Sequence, residues 1–439
     1  MVFVVKLETL FSALFLNYHS PRGYKWHIIA YLMDYKRGLR MTGTVNIFEI
    51  RCGSGHAIGV LELNNASSLN ALTLTMLRTI QQQLLHWQHD ENIVSVMIQA
   101  VGDKAFCSGA DIRALYYALE NDPAITAIEQ ITSPTVDDYI RRANNEKSYL
   151  AKPFLIDYFT VEYSCDYLIH NYPKPIIAWG NGLVMGGGLG LFIGASHRVV
   201  TPSALLAMPE MKIGLYPDVG ATWFLNQLPA GIGLFLGLTG ADVNASDALD
   251  LAMADHLIVD TDRERLIKQL KHYPWQNVAD DQVSNVITDM LTDIATDSER
   301  QRPPSQMIPY FPQIQAACVA PTLDVVYEQI NAIDGLGCWL EKAKQTLVNG
   351  SPLSAHLCFQ QMQQYQQASL AECFKMELSL SVRCGLVGEF KEGVRARFID
   401  KDAQPQWLYN TISMVDIRLV NSLFTPLWQQ QANPLTDLM

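Results

Sequence analysis

The chain has 439 residues, of which 49% are apolar and 17% charged, and its formal net charge is −12. That length and apolar content support large buried cores in about two domains, and exclude an intrinsically disordered chain. The acidic balance, with no long Lys/Arg run, excludes nucleic acid and anionic membrane as the main partner.

The first forty residues read differently from the rest. Phe3 to Leu16 is apolar but broken by Lys6 and Glu8, and Arg22, Lys25, Lys36, Arg37 and Arg40 make the segment basic. A secretory signal would place its charge ahead of an unbroken apolar region. From Thr44 the pattern predicts a strand, a hairpin-like turn at Cys52-Gly53-Ser54-Gly55 and a second strand to Leu63. A polar loop, Asn64 to Leu72, then leads into a helix with Met76, Leu77, Ile80, Leu84 and Leu85 on one side. Val94 to Ala100 reads as a buried strand, and Lys104-Ala105-Phe106-Cys107-Ser108-Gly109-Ala110-Asp111 after it runs into another helical pattern. The connection from Asp111 to Lys174 is long, and Asn121-Asp122-Pro123 with Ser133-Pro134 marks an insertion expected to contribute to a lid. Strands alternate with helices, which predicts an α/β class with a mostly parallel arrangement. From about Gly240 the chain reads as helical, with an irregular connection at Pro303, Pro304, Pro309 and Pro312.

The stretch Trp179-Gly180-Asn181-Gly182-Leu183-Val184-Met185-Gly186-Gly187-Gly188-Leu189-Gly190-Leu191 carries the strongest chemical signal. Three consecutive glycines open an otherwise apolar helix. The first turn of a helix has N–H groups without partners and the positive end of the dipole, and glycine lets a ligand atom approach them. A developing oxyanion would be held there; close helix packing that needs glycine is the other account. Together with Lys104 to Leu115, this stretch resembles the crotonase (enoyl-CoA hydratase/isomerase) superfamily. The resemblance implies a crotonase-like spiral of ββα repeats followed by a mainly helical C-terminal region. It also implies that two peptide N–H groups, those of Ala110 and Gly187, hold an acyl-CoA thioester oxygen.

The segment Ala207-Met208-Pro209-Glu210-Met211-Lys212-Ile213-Gly214-Leu215-Tyr216-Pro217-Asp218-Val219-Gly220 resembles the 3-hydroxyisobutyryl-CoA hydrolases within that superfamily. By that resemblance Glu210 and Asp218 match the catalytic carboxylates. Eight residues apart and separated by Gly214 and Pro217, they reach one substrate only through a folded loop; read alone, they are ordinary loop acids. Phe159-Thr160-Val161-Glu162-Tyr163, ahead of Lys174-Pro175, fits the same subfamily and makes Glu162 a substrate contact, although as an isolated acid it reads as a solvated helix residue. Ser351-Pro352-Leu353-Ser354 and Glu389 to Asp402, with Pro405 and Trp407, extend the likeness from about Val45 to about Trp407. Enoyl-CoA hydratases use a second glutamate where Gly190 stands here, so hydration is disfavoured while a single-carboxylate isomerase remains. The resemblance implies a hydrolase acting on 3-hydroxyisobutyryl-CoA or a similar short 3-hydroxyacyl-CoA in valine catabolism. The alternatives are an enoyl-CoA isomerase or hydratase, and a noncatalytic acyl-CoA-binding protein.

The family pattern begins just after Met41. Residues 1–40 are therefore expected to be an extension outside the fold, from a start codon assigned too far upstream, with a targeting segment as second choice. Residues 41–240 are then the acyl-CoA-binding core and 241–439 the helical C-terminal region. The expected location is the cytoplasm, or an organellar matrix if the extension targets the chain; a homo-oligomer is left open. No cofactor is expected beyond the CoA of the substrate, since the glycines fail G-x-G-x-x-G and no phosphate-loop sequence occurs. Arg113 is the local candidate for contacting CoA phosphates. No metal or disulfide framework is expected, because the eight cysteines show no CxxC and the ten histidines no HExxH, and a reducing compartment follows. Cys107 reads as a small apolar filler and His197 as a helix-end or core histidine. Leu183 to Ala195 is too short and glycine-rich for a bilayer span of roughly 20 residues.

Overall fold

Strands β1 (Thr44–Arg51) and β2 (Ala57–Asn64) form an antiparallel hairpin whose first strand lies at the sheet edge and is largely exposed. The computed structural model describes residues 43–53, 55–120, 134–145, 153–335 and 337–438. The extension at residues 1–40, and the turn signals at Asn121-Asp122-Pro123 and Ser133, lie outside them. From β2 the sheet continues in parallel through β3 (Ile93–Ala100), β5 (Ile176–Gly180), β7 (His197–Val200) and β10 (His256–Leu257). A second sheet runs β4 (Ala105–Cys107), β6 (Leu183–Met185), β8 (Leu205–Ala207) and β9 (Val243–Asn244), parallel except for its last pair. Both sheets thus take a short strand from beyond Gly240.

Period-two alternation explains why the first sheet is apolar on both sides. Leu61, Leu63, Val96 and Ile98 face the main core, whereas Ile58, Val60, Met97 and Ile177 face a second cluster. That second face is covered by helices Arg263–His272 and Val283–Ser298, through Leu266, Leu270, Ile287 and Leu291. Helix α1 (Leu74–Gln88) starts at Thr73, whose hydroxyl accepts from Met76 N, and buries Met76, Leu77, Ile80, Leu84 and Trp87. Leu85, expected on that face, is 47% exposed: one residue advances about 100° around the helix, so Leu84 and Leu85 cannot share the stripe.

Among the described residues of the long connection are α2 (Ile112–Glu120) and α3 (Val136–Ala143), and then α4 (Pro153–His170) runs back to β5. Helix α5 (Gly187–Ile193) leaves β6, and short α6 (Ala221–Phe224) precedes α7 (Ile232–Thr239). Four later helices reach the site side of the molecule: α8 (Cys338–Asn349), α9 (Pro352–Gln364), α10 (Leu370–Val387) and α11 (Glu389–Val394). Phe374, Leu378 and Phe390 of these helices share one apolar core with Leu61, Leu115 and Tyr158, and Gly43–Met439 forms one compact unit. Among the described residues no helix is long and apolar enough to cross a membrane.

Candidate active site

Parallel pairing of β4 with β6 is what brings the two glycine-bearing loops together, because both strands release their chains at the same edge. After β4, Gly109 adopts φ +107°, and its carbonyl accepts from Leu72 N at 2.8 Å while Asp111 N donates to Leu72 O at 2.9 Å. After β6, Gly186 adopts φ +51° and caps α5. These left-handed conformations suit glycine and exclude most other residues. The two loops touch: a Cβ built on Gly187 would lie 3.5 Å from Ala110 N, and one on Gly109 3.6 Å from Gly187 N. Ala110 and Gly187, far apart in sequence, are therefore neighbours at the start of α5.

Two carboxylates border this pair. A Cβ on Gly187 would overlap Glu162 Oε1, and a Cβ on Gly186 would lie 2.8 Å from Glu210 Oε1. Glu162 projects from α4 and is 1% exposed; Glu210 opens a 3₁₀ turn, Glu210–Ile213, and is 6% exposed. That turn ends at Gly214, φ +69°, which α11 approaches so closely that a Cβ there would sit 3.0 Å from Phe390 N. On its other side Ser351 N donates to Met211 O at 3.2 Å, and Arg397 Nε to Lys212 O at 2.7 Å. The two C-terminal motifs meet beneath it, since Ser351 Oγ and Leu408 N both donate to buried Glu389.

Asp218 is buried as well, and Tyr163 Oη donates to its Oδ2 at 2.6 Å. The phenol also lies 2.7 Å from Ser381 Oγ, which is 2.8 Å from Tyr216 Oη, so a hydroxyl network ties α4 and the Asp218 loop to α10. Beyond Asp218, Val219 has φ +55°, an unfavourable conformation for a β-branched residue that costs on the order of 1–3 kcal/mol. Glu377 of α10 holds this turn in place. Its carboxylate accepts from Gly220 N at 2.7 Å, Thr222 N at 3.0 Å and Thr222 Oγ1 at 2.6 Å.

A fourth carboxylate, Asp166, lies one turn after Glu162 on α4, is 0% exposed, and has neither oxygen hydrogen-bonded. Glu162 Oε1 and Glu210 Oε2 likewise lack partners. Burial raises all four acids above the ordinary carboxylate range: Asp218 to about 6, and Glu162, Asp166 and Glu210 well up, with repulsion from Asp218 adding to the effect in each of those three. Glu377 is raised by burial to about 8, against the pull of its three donors. Among the described residues no group of His, Cys, Asp and Glu is arranged to hold a metal ion.

The chain matches the enoyl-CoA hydratase/isomerase family over residues 58–424. It is 34% identical over 374 residues to the mitochondrial 3-hydroxyisobutyryl-CoA hydrolase of Danio rerio, covering 84% of this chain and 87% of that one. The proteins of the same name from Xenopus tropicalis (33%, covering 90% and 94%) and Homo sapiens (32%, covering 80% and 81%) match similarly. The chain belongs to the 3-hydroxyisobutyryl-CoA hydrolase branch of the enoyl-CoA hydratase/isomerase family. Among solved structures it resembles an enoyl-CoA hydratase from Rhodobacter sphaeroides (28% identity, TM-score 0.67, covering 87% and 97%). A carnitinyl-CoA dehydratase from Mycobacterium thermoresistibile is similar as well (25%, 0.69, covering 88% and 97%).

In this member of the hydrolase branch, the position where hydratases carry a second glutamate has no room for one. A Cβ on Gly190 would lie 2.8 Å from both Asp166 Oδ2 and Val219 Cβ. The fold thus brings Ala110, Gly187, Glu162, Glu210 and the Asp218 network to one side of α5, while Arg113 is exposed on α2. Cys107 is fully buried and its thiol is pushed up to about 12, as a filler's would be. His197 is a core residue, at the start of a strand and not a helix end, with its ring against Ser196 Oγ, Ser284 O and Thr288 Oγ1.

Sequence reasoning missed Tyr163, Asp166, Tyr216, Glu377 and Ser381. Tyr163 and Tyr216 stand inside quoted motifs and could have been flagged. Glu377 and Ser381 had only a faint signal: they are two of several polar residues in a largely apolar helix that also carries Glu372, Lys375, Ser379 and Arg383.

Proposed function

We propose that this chain hydrolyses the thioester of 3-hydroxyisobutyryl-CoA or a similar short 3-hydroxyacyl-CoA, releasing CoA and the hydroxy acid. The observation that carries the reading is the placement of Glu210 and Glu162 against Gly186 and Gly187, beside Ala110, with no room for a carboxylate at Gly190. In this reading the Ala110 and Gly187 N–H groups hold the carbonyl oxygen as it becomes an oxyanion. Glu162 contacts substrate at the mouth of that hole. Glu210 either attacks the carbonyl carbon, giving an anhydride that water opens, or takes a proton from the water that attacks. Both routes cleave the C–S bond, consume one water and give acid plus thiol. Burial raises the proton affinity of Glu210, which makes it a stronger base than an ordinary carboxylate. Asp218, aligned by Tyr163, orients the substrate hydroxyl or passes the proton onward. No cofactor is needed beyond the CoA carried by the substrate. For location the reading keeps the cytoplasm, with an organellar matrix as the alternative, and cell fractionation decides between them.

The test is thiol release across CoA esters. Hydroxylated short acyl groups should turn over fastest, and Glu210→Gln should lower kcat by at least about 10²-fold while substrate still binds. After a single turnover in ¹⁸O-water, label in Glu210 marks an anhydride opened by water at the Glu210 carbonyl, because direct water attack on the thioester places no label there. Rapid hydration of crotonyl-CoA without thiol release would replace this reading with the hydratase alternative.

A further inference from the structure

Lys212 stands two residues after Glu210, and in a 3₁₀ turn of about three residues it projects from a different side than the carboxylate at Gly186. On that side is a cavity of about 280 Å³, lined by Lys212, Lys342 and Arg397 together with Asp242, Trp339 and Thr346. Three cations share it with one carboxylate, in a protein whose net charge is −12. Among the described residues none of the three makes an ion pair. Arg397 spends its Nε on Lys212 O, and Trp339 Nε1 donates to Asp242 O at 2.7 Å, so the walls are fixed by hydrogen bonds that leave the ammonium groups unengaged. Lys212 and Arg397 are half-buried, and removal from water depresses the proton affinity of both. Cations withdrawn from water without a partner are costly, and an anion relieves that cost.

We propose that this cavity is a binding site for the phosphate group of a small phosphorylated molecule, held by Lys212, Lys342 and Arg397. The Lys212 charge favours the ionised form of Glu210. A bound phosphate cancels that field, so occupancy moves the acid limb of the rate profile to higher pH and slows turnover along that limb. This consequence rests on Glu210 being the base; the binding site itself does not.

The experiment titrates inorganic phosphate and ADP into the full chain by calorimetry, with Lys342→Ala and Arg397→Gln as variants, and reads binding without turnover. Each variant should lose about tenfold in affinity, the worth of one charged hydrogen bond. Phosphate that still binds with CoA saturating, and shifts the pH profile, marks a free phosphorylated ligand. Phosphate displaced by CoA, with Lys342→Ala raising KM for the CoA ester but not for a pantetheine ester, marks the substrate's own phosphates. Either result supports the site. Binding that is equal in wild type and both variants, or no saturable binding up to about 10 mM, overturns it. If binding holds while Glu210→Gln stays active, the failure lies with the role of Glu210 and not with the cavity.

Discussion

Replacing Gly187 by alanine keeps the backbone N–H and adds one methyl group at the junction of the three loops. Around that methyl, Glu162 Cδ at 3.4 Å and Ala110 N at 3.5 Å are ordinary contacts, and only Glu162 Oε1 overlaps. The carboxylate must therefore turn away, in a helix position 1% exposed where little free space receives it. Overpacking of this kind costs about 1–3 kcal/mol of stability, which a protein with this much core survives. The effect on rate should be larger. The methyl stands between the two N–H groups and pushes the thioester outward, and misplacement near 1 Å costs about 10²-fold, similar to losing one oxyanion donor. The assay is thiol release from 3-hydroxyisobutyryl-CoA beside a thermal melt, with Gly53→Ala as control because nothing lies within 4 Å of a Cβ there. We expect kcat/KM to fall about 10²-fold with a cooperative melt retained. A folded Gly187→Ala protein with wild-type kcat/KM would refute the reasoning, and the glycines would then be a packing feature.

Gly190→Glu should create no efficient hydratase, since its Cβ alone collides with Asp166 and Val219; destabilisation is expected, and fast crotonyl-CoA hydration by a stable variant would contradict the assigned geometry. Tyr163→Phe removes the donor to Asp218 and should raise that group's proton affinity further, shifting the acid limb of the rate profile upward from about 6; an unmoved limb would dissociate Asp218 from catalysis. Stability should respond to pH through the same acids. Their folded-state affinities are raised, so the stability they contribute is present below their unfolded values and is lost as pH climbs through the folded ones, about 6 for Asp218 and about 8 for Glu377. Melting temperature should fall from pH 5 to pH 8.5, and Asp166→Asn should flatten that decline; an equal slope would show that Asp166 does not titrate there.

The triple glycine and the strand–helix alternation were legible in the sequence because each is a local requirement, whereas the Glu210 to Asp218 segment was legible only through resemblance. A left-handed turn needs glycine, and a buried strand needs consecutive apolar residues. The pairing of Ala110 with Gly187 was legible only through resemblance, since it depends on β4 lying beside β6, a contact between segments about 80 residues apart. Burial of Glu162 inverted its isolated reading as a solvated acid: one face of α4 meets α5 at close range, and no property of the residue itself records that. Asp166 filling the space over Gly190, Glu377 holding the strained Val219 turn, and α11 seated on the end of the Glu210 turn were decided by tertiary structure alone. Local propensity fixes which segments can turn, pair or coil, but the proton affinity of a carboxylate depends on how much water and which charges the rest of the chain leaves around it.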